Sequence, residues 1–387
     1  MFRAQYLILL FTFIHAVHGQ DIEKPQNWQL TGSIKDLMTV NFGEDSTLVD
    51  NLIHNRMNFK WYPSEKVTFY LDIRNRLFHG DLVRSIPEYA EFVDVGNDYL
   101  DLSYQTSKGK PWLFQTMIDR AYLEWYGDEW EIRLGRQRVN WGVNLIWNPN
   151  DLFNAYSFFD FDYEERPGSD AIRVRKYIGY AGSLELVSNY SEEADEIVMA
   201  GMWKTNRWNY DFQFLTGKAR QDLVLGLGWA GNIGDAGFKG EATYFYPYTN
   251  KELLDKAFLV SLSTDYSFEN SLYLNGSVLF NSNGSDERSV DGLIFASSGV
   301  LTARDLSPFK YSTFIQAGYS FHPLINGGLA VIYYPSTRNS LFMNPSVTFS
   351  IKPNLDLDLI GQVFLDDQED EYEAVAKIFY TRIKWSF

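Results

Sequence analysis

Residues 375–387 read VAKIFYTRIKWSF, and their alternation decides the fold class. The apolar phase of this stretch comprises Val375, Phe379, Ile383, Trp385 and Phe387, and the polar phase comprises Tyr380, Arg382, Lys384 and Ser386. Lys377 and Thr381 interrupt the apolar phase. A period of two residues is typical of a β-strand that has one apolar and one polar face.

The same alternation recurs along the chain, most plainly in residues 67–74, 222–229 and 356–363. A soluble β-sandwich would show it too. Many segments run to about 11–15 residues, which exceeds the ~5–6 usual for soluble strands and suits the ~9–11 needed to cross a bilayer at a tilt. Aromatic pairs near segment ends, such as Trp61–Tyr62 and Trp125–Tyr126, are typical of a membrane–water boundary.

Short and longer connections alternate between these segments. Tight turns fall near 63–66, 127–129, 181–182, 206–207, 234–235, 269–270, 323–326 and 353–354, and the other links are 43–49, 80–111, 142–170, 192–194, 218–220, 249–255, 284–308, 337–340 and 368–371. This pattern predicts an all-β fold, a transmembrane antiparallel β-barrel of about 18 strands, with 16 as the alternative. The short turns would face the periplasm and the long loops would face outward.

The first residues have the composition of a secretory signal peptide. Arg3 is the only charged residue before Asp21, and an apolar stretch follows it. Val17 and Gly19 are small enough for a cleavage site between Gly19 and Gln20. We therefore predict a signal peptide over residues 1–19 and one barrel domain over residues 20–387, with a buried N-terminal helix as the alternative.

The composition excludes several classes of function. The chain has no cysteine, so disulfides, thiolate metal sites and thiol nucleophiles are absent. A formal charge of −16 argues against non-specific binding of nucleic acid. An aromatic content of 17% argues against disorder. We predict neither a metal nor a cofactor.

Charged residues on the strands are predicted to face the lumen, because an Arg or Lys at mid-depth on the lipid face costs about 2–4 kcal/mol. The pore-lining candidates from the early strands are Arg74, Arg76, Arg120, Glu124, Glu131, Arg133, Arg173 and Arg175. Later strands place Glu185, Glu241 and Asp358 in the same phase. One interpretation is that an arginine wall facing acids orients and filters polar or anionic solutes. The alternative is that the charges form ladders that hold a wide lumen together.

Alternation fails between Leu134 and Arg173. Arg133 and Arg136 cannot share a face without a slip, for which Gly135 could supply a bulge. The link 142–170 is long and rich in aromatic residues, so we predict that it folds into the barrel and narrows it. Its acids would then pair with arginines. The candidate acids are Asp160, Asp162, Glu164, Glu165 and Asp170, and the candidate arginines are Arg136, Arg138, Arg166 and Arg173. An outer lid and a calcium site are the alternatives.

Two stretches carry a family resemblance. Gly135–Gln137, Trp141–Gly142, Asn148–Pro149, Asp151–Phe153, Glu165–Arg166, Gly168, Asp170–Ala171 and Arg173 together resemble a porin-like family that includes alginate-export-type and related uncharacterised porins. The opening segment, with Gly32, Lys35, Asp36 and Leu37, resembles envelope barrels of the Bacteroidota. The resemblance implies a channel of 18 or a similar number of strands and leaves the solute open.

The final segment resembles the C-terminal signature strand of Gram-negative outer-membrane barrels, which the insertion machinery recognises. In this chain that signal would be carried by Phe387. We therefore expect a protein of the Gram-negative outer membrane whose partners are the bilayer, the insertion machinery and small solutes. Its oligomeric state stays open.

The predicted function is a passive, porin-like channel for small polar solutes, with anions among the candidates. One alternative is a non-conducting barrel that serves export, assembly or surface binding, and another is a soluble glycan-binding β-protein. A rim hydrolase would need His54 or His79, but no catalytic motif accompanies either residue, so we predict that the protein is not an enzyme.

Overall fold

The computed structural model describes residues 26–43, 46–94, 99–106, 111–155, 158–159, 168–248, 255–287, 301–337, 339–368 and 371–387. These residues form nineteen β-strands, two short α-helices and one 3-10 turn at Ala194–Glu196. The strands are β1 Trp28–Phe42, β2 Thr47–Ser64, β3 Val67–Gly80, β4 Ser103–Thr106, β5 Trp112–Tyr126, β6 Trp130–Gln137, β7 Ser169–Ile178, β8 Gly182–Asn189, β9 Val198–Arg207, β10 Tyr210–Ala219, β11 Asp222–Ile233, β12 Ala236–Pro247, β13 Ala257–Ser267, β14 Leu272–Asn281, β15 Tyr311–His322, β16 Ile325–Tyr334, β17 Ser340–Lys352, β18 Leu355–Gln368 and β19 Glu371–Ser386. The helices are α1 Asp81–Ser85 and α2 Tyr89–Val93.

Eighteen of these strands form a closed antiparallel barrel, and the short strand β4 pairs with β5 alone. Each barrel strand pairs with its neighbours along the chain, and β1 pairs with β19 to close the sheet. The closing register runs from Ser33 opposite Ser386 to Phe42 opposite Lys377. The predicted barrel of 18 strands is confirmed, and the 16-strand alternative is wrong. Among the described strands, closure pairs the first strand of the sheet with the last, and unpaired backbone groups would be costly in lipid.

The short strand β4 completes the wall where β6 ends early. The carboxyl half of β5 pairs with β6, from Ala121 opposite Arg136 to Tyr126 opposite Glu131. The amino half of β5 pairs instead with β4, from Ser103 opposite Met117 to Thr106 opposite Phe114. A segment of an outer loop therefore satisfies the strand edge that β6 leaves open.

The turns and links follow the predicted order with one displaced turn, but the link between β10 and β11 has two residues and is as short as a turn. The turn expected near 206–207 lies at Trp208–Asn209, because β9 continues through Arg207. Both turn residues have positive φ, 53° for Trp208 and 61° for Asn209. Two successive residues with positive φ form the hairpin turn that matches the twist of the flanking strands.

The outer face of the barrel is apolar, and the inner face is largely polar. On β8, Leu184 and Leu186 are exposed to the outside, whereas Glu185 between them is fully buried. The aromatic side chains of Trp125 and Tyr126 at the end of β5 are also exposed. Among the described residues, no helix is long and apolar enough to cross a membrane.

Outer-loop segments pack against the inside of the wall. Ala90 of α2 packs against Phe78 of β3 and Leu113 of β5, which forms a small apolar cluster at the mouth. A larger cluster joins Trp141 and Trp147 of the link between β6 and β7 to apolar side chains of strands β7 to β18. The interior of the barrel is therefore partly filled by its own loops.

Candidate functional site

The candidate site consists of a loop inside the barrel and a charged wall. We call residues 138–155 together with Phe158 and Phe159 the inner loop. Its first anchor is Trp141, whose side chain is 1% exposed. The indole Nε1 of Trp141 donates to Glu185 Oε1 at 2.8 Å, and Gln213 Nε2 donates to the Trp141 carbonyl oxygen at 2.7 Å. The loop is therefore bonded to β8 and β10.

Asparagine side chains form a second anchor on the next strands. Ser263 Oγ donates to Asn144 Oδ1 at 2.7 Å, and Asn144 Nδ2 donates to Ser261 Oγ at 3.0 Å. Thr243 Oγ1 donates to Asn150 Oδ1 at 2.7 Å. Short polar side chains of this kind often form local turns through their own hydrogen bonds. Here they bond across space to β12 and β13.

The far end of the inner loop is held by aromatic rings. The Phe158 ring contacts Phe314 with centroids 5.1 Å apart and an interplanar angle of 73°. The Phe159 ring lies 5.0 Å from that of Phe342 and 5.6 Å from that of Phe364. The contacts with Phe314 and Phe342 are edge-to-face, and such contacts add about 0.5–1.5 kcal/mol each beyond the buried area. The contacts of the inner loop thus extend around the wall from β8 to β18.

On the adjoining strands β5 to β8, the predicted arginines are paired with acids at close range. Arg133 Nε lies 3.0 Å from Glu131 Oε1 and also bonds Glu124. Arg173 Nε donates to Glu185 Oε1 at 2.8 Å, and Arg175 Nη2 lies 2.6 Å from Glu185 Oε2. The network continues across neighbouring strands, since Arg175 Nη1 lies 3.5 Å from Glu131 Oε2.

A β-bulge adds an unpredicted acid to this wall. The β3–β5 register shifts between Asp72 and Ile73, so that Asp119 is the extra residue of β5. Asp119 forms two ion pairs: its Oδ2 lies 2.9 Å from Arg56 Nη1, and its Oδ1 lies 2.9 Å from Arg74 Nη2. The bulge therefore turns Asp119 and the following Arg120 to the same side.

The remaining early-strand candidates also have partners. Arg120 Nε lies 3.4 Å from Asp72 Oδ2. Arg76 bonds Gln115 Oε1 and donates from Nη2 to the Val93 carbonyl oxygen of α2 at 3.1 Å. These arginines and acids share one side of the barrel, which fits the ladder alternative left open from the sequence.

Arg136 is buried and ties three segments together. Its Nε and Nη2 donate to the two carboxylate oxygens of Asp170 at 3.0 and 2.8 Å, and it also bonds the Leu100 carbonyl oxygen. The expected slip at Gly135 is absent, because its pairings with β5 and β7 are continuous. Instead Gly135 has a φ of 119°, a conformation that favours glycine, and a Cβ there would collide with the Ala121 carbonyl oxygen.

Five candidates lie outside the described residues, namely Asp160, Asp162, Glu164, Glu165 and Arg166. Their predicted ion pairs, the lid alternative and the calcium site stay predictions. The candidate histidines do not form a joint site. His54 is buried and stands opposite Arg76, whereas His79 is exposed, three residues farther along β3 on the other face of the sheet.

Sequence reasoning predicted that Glu185 and Glu241 face the lumen, but not that they bind the inner loop. Gln213 carries no charge, so nothing in the sequence indicated that it binds the inner loop. A carboxylate in the lumen phase looks the same in sequence whether it faces water or a loop. The only available hint was the apolar character of the loop, which required it to be buried somewhere.

No protein-family model matches the sequence, and no curated protein matches it. Solved structures do match its fold. Pseudomonas aeruginosa OccK11 (OpdR) is 8% identical, with 93% of this chain and 96% of that chain covered and a TM-score of 0.60. Acinetobacter baumannii OccAB2 is 9% identical over 93% and 98%, with a TM-score of 0.59. Pseudomonas aeruginosa OprD is 9% identical over 93% and 95%, also with 0.59. The chain therefore has the fold of a porin-like outer-membrane β-barrel.

Proposed function

We propose that the protein is a passive channel of the Gram-negative outer membrane that carries small polar solutes, anions among them. One observation carries the proposal: the inner loop packs against the wall from β8 to β18, and paired arginines and acids line the adjoining strands β3 to β8. A pore narrowed by a loop and lined beside it by charge filters solutes by size and charge.

A row of basic residues supports anions as the solute class. Lys384 of β19 stands directly opposite Lys35 of β1, Lys35 stands opposite His54 of β2, and His54 stands opposite Arg76 of β3. Residues directly opposite one another share a face, so four basic side chains lie side by side across four strands. The positive charges of Lys384, Lys35 and Arg76 would favour an anion over a cation in the passage beside them.

Conductance across a planar bilayer tests the channel. The purified protein should open pores, and a KCl gradient should give a reversal potential that favours chloride. The double variant Lys35→Gln/Lys384→Gln should move that potential toward potassium. The control Lys66→Gln, at the exposed turn between β2 and β3, should leave it unchanged. A silent bilayer would overturn the channel, and an unchanged potential in the double variant would overturn the role of the row.

Export and assembly belong to the same proposal. A signal peptide over residues 1–19 would direct the chain across the inner membrane, and the last strand with Phe387 would be recognised during insertion. The mass of the protein recovered from outer membranes tests the first point, since it should correspond to residues 20–387. The resemblance of residues 134–173 to alginate-export-type porins also stays a prediction.

A barrel that does not conduct is the second candidate, favoured by the packing of outer loops into the mouth. Besides α2, residues Ala303, Leu306 and Phe309 of the link between β14 and β15 are buried against the inner wall. Deletion of residues 150–165 distinguishes the two candidates. The deletion should enlarge the conductance of a working channel, whereas a plugged barrel should conduct only after the deletion.

A further inference from the structure

Glu241 of β12 contacts the inner loop at both ends of one turn. Its Oε1 accepts hydrogen bonds from the backbone N–H groups of Val143 at 2.6 Å and Asn144 at 3.2 Å. Its Oε2 accepts from the backbone N–H of Asn150 at 2.8 Å. The side chain is fully buried. One carboxylate therefore closes the turn 143–150 against the wall.

The turn is shaped for this carboxylate. Asn148 Oδ1 accepts from the Asn144 backbone N–H at 2.9 Å, which draws the two ends of the turn together. A Cβ at Gly142 would collide with the Asn148 side chain, so the turn closes only with glycine there. Several backbone N–H groups that converge on one point form an anion-binding concavity. Here the anion is supplied by the barrel wall.

The burial of Glu241 means that its carboxylate oxygens need hydrogen-bond donors from the protein. A buried carboxylate is costly unless its oxygens are bonded, and the described contacts of Glu241 are with backbone N–H groups rather than with a cation. Neutral acceptors would bond the same groups less strongly, because hydrogen bonds to an ionised acceptor are roughly twice as strong. The negative charge of Glu241 therefore strengthens the hydrogen bonds to the loop, and its burial keeps it away from the passage.

We infer that Glu241 is the positioning residue that holds the inner loop inside the barrel and thereby sets the width of the passage. The effect of Glu241 on the width of the passage rests on the proposed channel function. The attachment of the loop to the wall can be measured separately. Trp141 and the aromatic contacts at Phe158 and Phe159 fix the two ends of the loop, and Glu241 fixes its middle.

The variant Glu241→Gln tests the inference with almost no change in volume. A glutamine offers one oxygen and one NH2 group, so its NH2 must face an N–H group at one end of the turn. That end should detach. We expect roughly a twofold rise in mean conductance, with frequent fluctuations, because pore width controls conduction. The reversal potential should stay nearly constant, since the Glu241 charge is buried.

Asp265→Asn provides the matched control. Asp265 is a carboxylate on the neighbouring strand β13 that pairs with Lys239 at 3.4 Å and is partly exposed. Its loss should alter the reversal potential slightly and leave the fluctuations at the wild-type level. Heat-modifiable migration on a gel verifies that both variants fold as barrels.

A cross-link provides the rescue. Thr243 and Asn150 touch through their side chains, and the chain has no cysteine of its own. In the Glu241→Gln background, the pair Asn150→Cys/Thr243→Cys should restore wild-type conductance when oxidised and lose it again on reduction. Failure of the oxidised form to restore conductance would overturn the inference.

Thiol labelling separates this inference from the channel proposal. Ile146 is 2% exposed within the inner loop, so Ile146→Cys should react slowly with a maleimide and about tenfold faster when Glu241→Gln is added. Faster labelling in a barrel that never conducts would retain Glu241 as the residue that holds the loop and would reject the channel. Equal labelling and equal conductance in both backgrounds would reject the inference alone.

Discussion

Gly32 and Phe387 exchange two backbone hydrogen bonds, with N···O distances of 2.9 and 3.0 Å, and so form the last pair of the seam that closes the barrel. The Phe387 ring also lies over Gly32, because a Cβ built on Gly32 would stand 2.6 Å from Phe387 Cζ. The absence of a side chain on β1 therefore makes room for the final aromatic ring of the sheet.

The first prediction concerns this seam. Gly32→Ala should destabilise the barrel by about 1–3 kcal/mol, because the new Cβ overlaps the Phe387 ring and the Arg56 carbonyl oxygen. The free energy of unfolding in urea, followed by loss of heat-modifiable migration, measures the effect. Gly276→Ala is the control, since a Cβ there meets open space. Equal stability of the two variants would contradict the packing described.

The second prediction concerns ion selectivity. Arg133→Ala should move the reversal potential toward cations, because it leaves Glu124 and Glu131 without a shared partner. Loss of one member of such a buried pair costs up to about 3–5 kcal/mol, so unfolding should be measured alongside. The double variant Arg133→Ala/Glu124→Gln removes one charge of each sign and should recover most of the wild-type potential. A double variant as shifted as the single one would speak against local pairing.

The third prediction concerns the first anchor of the inner loop. Trp141→Ala removes a buried indole and its hydrogen bond to Glu185, at a cost of about 3–5 kcal/mol. The loop should loosen near β8, and conductance should rise. Trp203→Ala is the matched control, because Trp203 is exposed on the outer face and stacks on Phe214. If both variants conduct alike, Trp141 does not restrain the loop.

The fourth prediction concerns the fork between Arg136 and Asp170. Arg136→Lys keeps the charge but loses the two parallel hydrogen bonds to the carboxylate, so stability should fall by about 1–3 kcal/mol without a change in reversal potential. Urea unfolding and bilayer recordings measure the two quantities. Arg84→Lys, in an exposed pair with Asp81, should cost less than about 1 kcal/mol. A shifted reversal potential in Arg136→Lys would mean that the guanidinium itself lines the passage.

Much of the wall was predictable because alternation is a local property of each strand. The polar phase of residues 67–74 placed Asp72 and Arg74 inward, and the pairing of Arg74 with Asp119 agrees. A local pattern no longer predicts which face a residue occupies where a β-bulge adds one residue to a strand. The bulge at Asp119 reverses the phase within β5, so this acid was missed although the next residue, Arg120, was predicted to face the lumen.

The site was less predictable because its contacts join distant parts of the chain. Glu241 lies about a hundred positions beyond the turn that it binds, with separations of 98 from Val143 and 91 from Asn150. No spacing rule links a strand residue to a turn at that range. The aromatic content of the loop predicted burial, but only the folded barrel supplies Phe314 and Phe342 as its partners.

The pairing of β4 with β5 also has an evolutionary consequence. Loops at the surface of a protein usually tolerate change in sequence and length. Ser103–Thr106 belongs to such a loop, yet its backbone completes the hydrogen bonding of a wall strand. Natural variants of this protein should therefore preserve the length and extended geometry of this segment while the exposed positions around it drift.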